Sequence, residues 1–332
     1  MNNEKILITG GAGFFGGHIC EEALNNNQNI VLIDVLNSET TSSSDKEKTI
    51  DWLHLIASKN KNSNLKSYIC DITDEEKLTK IIINEKPTIV IHAASLVMDR
   101  ASVIIPLDFI NTNVLGSQIL LNAVSKTNTL KKLIFISSRS AIGEVTGPYT
   151  EMNEDDPYRP VNPYGATKAA AEHIFHSFYH IYNIPVTIFR MNPMYGPRCR
   201  PDMFVWRLLN SILTGKQIEK YGSGEATRDW LYVKDAVKAI FKVLSVPAGF
   251  QIMNLGTGVG TTTNELIDLV ERVTEKEVNL IEVKSVLGDA HFGGIANCSK
   301  AKQIIDWEAK TSLQEGLALT YDHMKKEYQK PK

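Results

Sequence analysis

Six short, nearly unbroken apolar runs recur along the first part of the chain: KILIT (5–9), NIVLID (29–34), LKSYIC (65–70), TIVIHAA (88–94), KLIFISS (132–138) and PVTIFR (185–190). Runs without polar alternation suit parallel strands covered on both faces. Helical spacing fills the gaps near 14–26, 47–58, 74–85, 105–126 and 165–182, while NSETTSSSDKEK (37–48) reads as a polar loop. Alternating strands and helices predict an α/β fold, a Rossmann-type doubly wound parallel sheet. The pattern changes after residue 190. Loops such as NPMYGPRCRPDM (192–203) and YGSGEATRDW (221–230) dominate, with helices near 204–215, 234–245 and 262–275. The expected division is a dinucleotide-binding domain, 1–190, and a smaller C-terminal α/β substrate-binding domain, mainly 191–332.

Composition narrows this little. The 332 residues are 43% hydrophobic and 22% charged, enough for a sizeable core. A net charge of −2 gives no pull toward nucleic acid or an anionic membrane. Cys20, Cys70, Cys199 and Cys298 lack metal-like spacing and read as reduced thiols of a cytoplasmic protein. The first strand starts too early for a signal peptide, and no apolar run is long enough to span a bilayer.

Candidate chemistry begins at ITGGAGFFGGHI. Gly10, Gly13 and Gly16 follow the first strand and lead into a helix. Glycines let backbone come close to a pyrophosphate, and a helix N-terminus offers free N–H groups. Alone, the pattern is equally a tight strand–helix turn. Asp34, ending the second strand, strengthens it: a carboxylate there accepts from ribose hydroxyls and repels a 2′-phosphate, favouring NAD over NADP. In CDITD (70–74), Asp71 and Ile72 are placed to flank an adenine, although Thr73 or Asp74 also serves as a helix cap. Ala93 and Ala94 are small enough for a cofactor to lie on the backbone, or simply belong to the core.

NPYGATKAAAEH (162–173) sets Tyr164 four residues before Lys168, on one helix face. Tyr321/Lys325 and Tyr328/Lys332 share that spacing but lack a dinucleotide turn or a serine-bearing strand beside them, and read as solvated helix surface. Near Tyr164, Ser138 can donate to the same substrate oxygen. The Lys168 ammonium and an oxidised nicotinamide would lower the phenol pKa, so that it accepts a proton from a sugar hydroxyl. His173, His176 and His180 lie at helical spacing without HExxH, so no metal site is expected.

Taken together, GGAGFFG, Asp34, CDIT, HAA, SSRSAIG, NPYGATKAAAE, YGPRCRPDM, RDWLYVKD and NLGTG resemble the extended short-chain dehydrogenase/reductase family of NAD-dependent nucleotide-sugar epimerases and dehydratases, from about residue 5 to 320. The resemblance implies Ser138, Tyr164 and Lys168 as catalytic residues. Its cofactor set is Gly10, Gly13, Phe14, Phe15, Gly16, Asp34, Asp71, Ile72, Ala93, Ala94 and Asn113, with Tyr164 and Lys168. It implies a homodimer through a four-helix bundle built from the 105–126 and 165–182 helices.

Within that family, 4,6-dehydratases carry an Asp-Glu pair after the catalytic Ser/Thr, and decarboxylases usually a Glu. Here those positions are Arg139 and Ser140, so elimination lacks its acid and base. RDWLYVKD nevertheless looks like the dehydratase version of that stretch. YGPRCRPDM looks like the GPRxRPDM stretch of UDP-glucuronate 4-epimerases. Arg198 and Arg200 there suit a sugar carboxylate, or pair with a local acid such as Asp202. Arg228 resembles the family's diphosphate-binding arginine, or pairs with Asp229 or Asp235. The expected substrate set is Arg139, Ser140, Asn192, Arg198, Arg200 and Arg228. The chain departs from the family pattern at Pro193, at Ala141-Ile142-Gly143 in place of VYG, and at Asn297-Cys298. The favoured activity is NAD-dependent 4-epimerisation of a UDP-sugar, UDP-glucuronate foremost. Alternatives are a UDP-glucose or UDP-N-acetylglucosamine 4-epimerase, a dehydratase, a decarboxylase and a non-catalytic NAD-sensing protein.

Overall fold

The computed structural model describes residues 4–36, 42–60, 62–145, 147, 150–246, 249–284 and 293–329. Six strands fall where the apolar runs predict them: β1 (Lys5–Thr9), β2 (Asn29–Asp34), β3 (Asn64–Ile69), β4 (Ile89–His92), β5 (Lys132–Ser138) and β6 (Val186–Met191). A seventh, β7 (Phe250–Leu255), comes from the C-terminal part and pairs in parallel with β6, from Phe250 opposite Val186 to Leu255 opposite Met191. The order is β3–β2–β1–β4–β5–β6–β7, every pair parallel. Strand order reverses direction between β1 and β4, so a crevice opens at the carboxyl ends of those strands.

Helices cover both faces. Ile19, Cys20, Leu53, Ala236 and Ile240 place the Phe14–Asn25, Ser43–Lys59 and Val233–Val243 helices on one side. Leu78, Ile82, Leu120, Ala171 and Phe175 place the Glu75–Glu85, Gly116–Ser125 and Pro163–Tyr182 helices on the other. A third cluster, including Tyr195, Val205, Leu209, Leu266, Val270 and Leu317, forms the core of the C-terminal part. Each fully buried aliphatic side chain contributes about 1.5–3 kcal/mol.

Three elements differ from the sequence expectations. The polar run at 37–48 lies outside the described residues at 37–41, and from Ser43 it is helix, with the Ser42 hydroxyl accepting from Asp45 N. The 105–126 stretch is broken into Pro106–Phe109, a wider π turn at Ile110–Leu115, and Gly116–Ser125. β4 stops at His92, so Ala93 and Ala94 already belong to the crevice loop.

Candidate active site

The turn after β1 shows why its glycines are glycines. Gly10 has φ +71°, and a Cβ there would stand 2.7 Å from Ala94 N; one on Gly16 would stand 2.0 Å from the Gly10 carbonyl. Gly13 caps the Phe14–Asn25 helix without any side-chain bond, so the first-turn N–H groups have no protein cap. They stand at the wall of a cavity of about 540 Å³ that also reaches Tyr164 and Lys168. Uncapped donors at a helix N-terminus fit a pyrophosphate.

Asp34 lines this cavity and is already engaged. Oδ2 accepts from Ala12 N at 2.8 Å, while Oδ1 accepts from Val35 N at 2.7 Å and from Lys46 Nζ at 2.8 Å. Lys46 is buried, and its ammonium also bonds the Val35 carbonyl. Sequence reasoning missed Lys46 because it sits in a run that reads as solvated loop. Asp71 and Ile72 line the cavity next to Asp34. One Asp71 oxygen accepts from Thr73 N and Oγ1, and Asp74 caps the next helix through Lys77 N. Capping and cavity roles therefore coexist in CDITD. Ala93 and Ala94 complete this wall.

Asn113 differs from expectation. It is buried away from the cavity lining, and its amide is spent on protein: Nδ2 donates to Leu96 O and Thr167 Oγ1, and Oδ1 accepts from Leu96 N and Ser95 Oγ. It fixes the 95–98 loop, which lines the cavity and carries Met98 at φ 109°, a backbone conformation costly for a residue with a side chain.

At the other end, Ser138 closes β5, and Tyr164 and Lys168 lie in the first turns of the Pro163–Tyr182 helix, which the Asn162 side chain caps through Gly165 N at 2.9 Å. Burial pushes the Tyr164 phenol up to about 12, opposed first by its hydrogen bond with Ser138. The expected lowering by Lys168 is not seen. Its Nζ donates to Ile136 O at 2.9 Å and stands 6.0 Å from the Tyr164 ring centroid, and burial pulls it down to about 7. The cations that do lower the phenol are Arg200 and Arg139.

Below this pair lies a network that pattern reading did not single out. Glu172, one turn after Lys168, is fully buried and pairs with Arg190 through Nε and Nη2 at 2.8–3.1 Å. Its carboxylate also takes the hydroxyls of Ser137 and Tyr158. The helix bearing Tyr164 is thereby bolted to β5 and β6. The i+4 spacing from Lys168 was the available signal.

The six expected substrate residues divide. Arg139, Ser140, Asn192, Arg200 and Arg228 line the cavity; Arg198 does not. Arg198 turns back toward the Phe14–Asn25 helix, where it bonds Glu21 at 3.2 Å and His18 Nδ1 at 3.1 Å and lies 3.6 Å over the Trp52 ring. Arg200 reaches the cavity wall but pairs in a fork with Asp202, both bonds at 2.9 Å. Asp229 and Asp235, considered as partners of Arg228, are held by other groups: Asp229 by Thr257, Gly258 and Ala296, Asp235 by Lys238, Lys310 and Thr311.

The remaining sequence candidates lie elsewhere. His173 bonds Ala169 O, and His176 packs on Phe250. Among the described residues, no group of three His, Cys, Asp or Glu side chains could hold a metal. Tyr321 and Tyr328 sit on the Leu313–Gln329 helix and outside the cavity lining, and Lys332 lies outside the described residues.

A parallel sheet with a glycine turn at its switch point, and a serine, tyrosine and lysine at the far end of one cavity, defines a dinucleotide-dependent redox site. Residues 6–256 match the model of the NAD dependent epimerase/dehydratase family, and the chain belongs to that family. The UDP-glucuronate 4-epimerase of Thermodesulfobacterium geofontis is 31% identical, over 96% of this chain and 95% of its own. The crystal structure of the Bacillus cereus UDP-glucuronic acid 4-epimerase with UDP-glucuronic acid and NAD superposes at a TM-score of 0.87, 31% identical, covering 98% of this chain and all of that one. The Thermotoga maritima UDP-glucose 4-epimerase with UDP-glucose gives 0.87 at 30% identity, with 98% and 100% covered. The chain is an NAD-dependent nucleotide-sugar epimerase.

Proposed function

We propose that the chain interconverts UDP-glucuronate and UDP-galacturonate by inverting C4. The observation that carries this reading is the composition of the wall beside Tyr164: Ser138 and Ser140 hydroxyls and the Arg139 guanidinium, with no carboxylate at 139 or 140 to drive elimination. Bound NAD supplies the acceptor and donor of hydride. The Tyr164 phenolic oxygen takes the C4 hydroxyl proton as the carbon is oxidised. Ser138 orients that hydroxyl. After the 4-keto sugar turns over, C4 would take the hydride back on its opposite face while Tyr164 returns the proton to the C4 oxygen. Burial holds the phenol up; Arg200, Arg139 and the positive charge of oxidised nicotinamide would lower it toward the form that accepts the proton.

In this reading Asp34 and Lys46 hold the adenosine ribose, Asp71 and Ile72 the adenine, and the first-turn N–H groups at Phe14, Phe15 and Gly16 the pyrophosphate. Residues after 190 supply most sugar-nucleotide contacts, with Arg228 on the diphosphate. Homodimerisation is supported by apolar side chains left in water on the two expected helical stretches, Leu107 at 70% exposure and Ile181 at 68%, and by Ile104 at 80% on the helix just before the first of them. Four free thiols support a reducing, cytoplasmic setting. Among the described residues, no helix is long and apolar enough to cross a membrane.

The test is to incubate the protein with UDP-glucuronate and follow products by mass and NMR. Unchanged mass with inverted C4 is expected; loss of water or of carbon dioxide would assign a dehydratase or decarboxylase instead. Tyr164→Phe should retain NAD while turnover falls ~10²–10⁴-fold. Near-wild-type turnover in that variant would reject the assignment, and complete inertness of the parent would favour an NAD sensor.

A further inference from the structure

Of the arginines considered for an anionic sugar, two are committed elsewhere. Arg198 is held by Glu21 and Trp52, outside the cavity, and Arg200 spends its fork on Asp202. Arg139 is different. It follows the catalytic serine directly, is only 6% exposed and lines the cavity. Nη1 donates to two carbonyls, Gly293 O at 3.1 Å and Gly143 O at 3.4 Å, which orient the side chain without neutralising it. Among the described residues no carboxylate is in direct ion-pair contact with it, and Nε and Nη2 make no hydrogen bond; Asp99, on the same cavity wall, and Glu144 act on its charge only from farther away. A buried guanidinium without a contact counter-ion is costly, and a ligand carboxylate would supply one.

A second observation points the same way. Asn192 Oδ1 is buried in the cavity wall with no donor to accept from. The wall next to Tyr164 thus offers one cation without a contact ion pair and one acceptor without a donor, a set suited to a carboxylate and a hydroxyl on one sugar ring. The anion is a substituent of the ring rather than the diphosphate. The reacting C4 must lie at Tyr164, C5 with its exocyclic carbon is the adjacent ring atom, and the diphosphate is carried across the ring at C1.

We propose that Arg139 is the specificity-determining residue that receives the C5 carboxylate of a UDP-uronate, with Asn192 Oδ1 accepting from a ring hydroxyl. This rests on the UDP-glucuronate 4-epimerase reading and names the residue that selects that sugar. The fork of a guanidinium matches both oxygens of a carboxylate, which a lysine does not reproduce.

The experiment uses the NAD-loaded protein and two probes that differ only at C6, UDP-glucuronate and UDP-glucose. Both kcat/KM and calorimetric affinity are measured for the parent, Arg139→Gln and Arg139→Lys, with retained NAD and thermal midpoint as folding controls. The parent should prefer UDP-glucuronate. Arg139→Gln should lower the glucuronate-to-glucose ratio, in turnover and in affinity, on the order of 100-fold, and Arg139→Lys should keep part of it. A parent with no preference, or variants that lose both sugars in equal proportion, would overturn the assignment while leaving 4-epimerisation standing. If neither sugar turns over in the parent but Arg139→Gln selectively loses UDP-glucuronate binding, the carboxylate site holds and the epimerase reading falls. Should Arg139→Gln fail to fold, the Arg139→Lys ratio decides: a ratio equal to the parent's overturns the fork-specific role.

Discussion

Lowering the pH from 7 to 5 should weaken the fold by about 2 kcal/mol through one side chain, His92. It ends β4, is 1% exposed, and lies beside the stacked Phe135–Phe175 pair, with its ring centroid 5.7 and 5.9 Å from theirs. Ser117 Oγ donates to Asn113 O at 2.6 Å and so accepts from His92 Nε2–H at 3.0 Å. His92 Nδ1 then accepts from the Thr9 hydroxyl at 2.7 Å, whose oxygen already takes Ala94 N. A second ring proton would face the Thr9 hydroxyl hydrogen and the Lys168 cation. Burial first, and Lys168 second, pull the imidazole from 6.5 to about 3.

The sign follows directly. The folded state binds no proton at His92 until about pH 3, whereas the unfolded chain binds one below 6.5, so stability is full above 6.5 and falls as pH drops toward 3. Each pH unit inside that window costs about 1.4 kcal/mol, or about 2 kcal/mol between pH 7 and 5. The assay is urea unfolding of the parent and His92→Gln at pH 7, 6 and 5, read as midpoint times slope. Other titrating groups, including the buried His18, are present in both proteins and cancel in the difference. The stability gap between parent and variant should narrow by about 2 kcal/mol. A gap that stays constant across the three pH values would refute the buried neutral imidazole.

Two further outcomes are expected. Asp34→Ala should narrow the preference for NAD over NADP and leave the buried Lys46 ammonium without its carboxylate partner, free to attract a 2′-phosphate; an unchanged affinity ratio by calorimetry would remove the ribose role. Leu107→Glu should shift the particle toward monomer in analytical ultracentrifugation with NAD still bound, because it puts a charge on a 70% exposed apolar site; an unchanged mass would exclude that face from the dimer.

Much of the fold was readable because buried parallel strands leave an unambiguous mark. KILIT and KLIFISS are apolar on both faces and could hardly be anything but central strands. β7 escaped because FQIMNL interleaves Gln251 and Asn254, and because a long stretch of the chain separates it from its partner β6. The cofactor end was legible through glycine, whose absence of a Cβ is visible in sequence and required at Gly10 and Gly16. Charge partners were not legible. Lys46 looked solvated, Arg198 looked like a substrate ligand, and only the packing of Trp52 and Glu21 decides the second. Asn113 likewise turned on the course of the 95–98 loop, which no periodicity encodes.

The chain leaves the central sheet after Met191, builds a separate core, and comes back to lay Phe250–Leu255 along Val186–Met191. During synthesis, the N-terminal six strands therefore emerge with an apolar edge bare until residue 255 has cleared the ribosome. A fragment ended near 190 would keep that edge permanently, with VTIFRM open to pairing with any other strand, the situation that favours aggregation. Exchanging the cofactor part among relatives would therefore mean carrying the returning strand along with it.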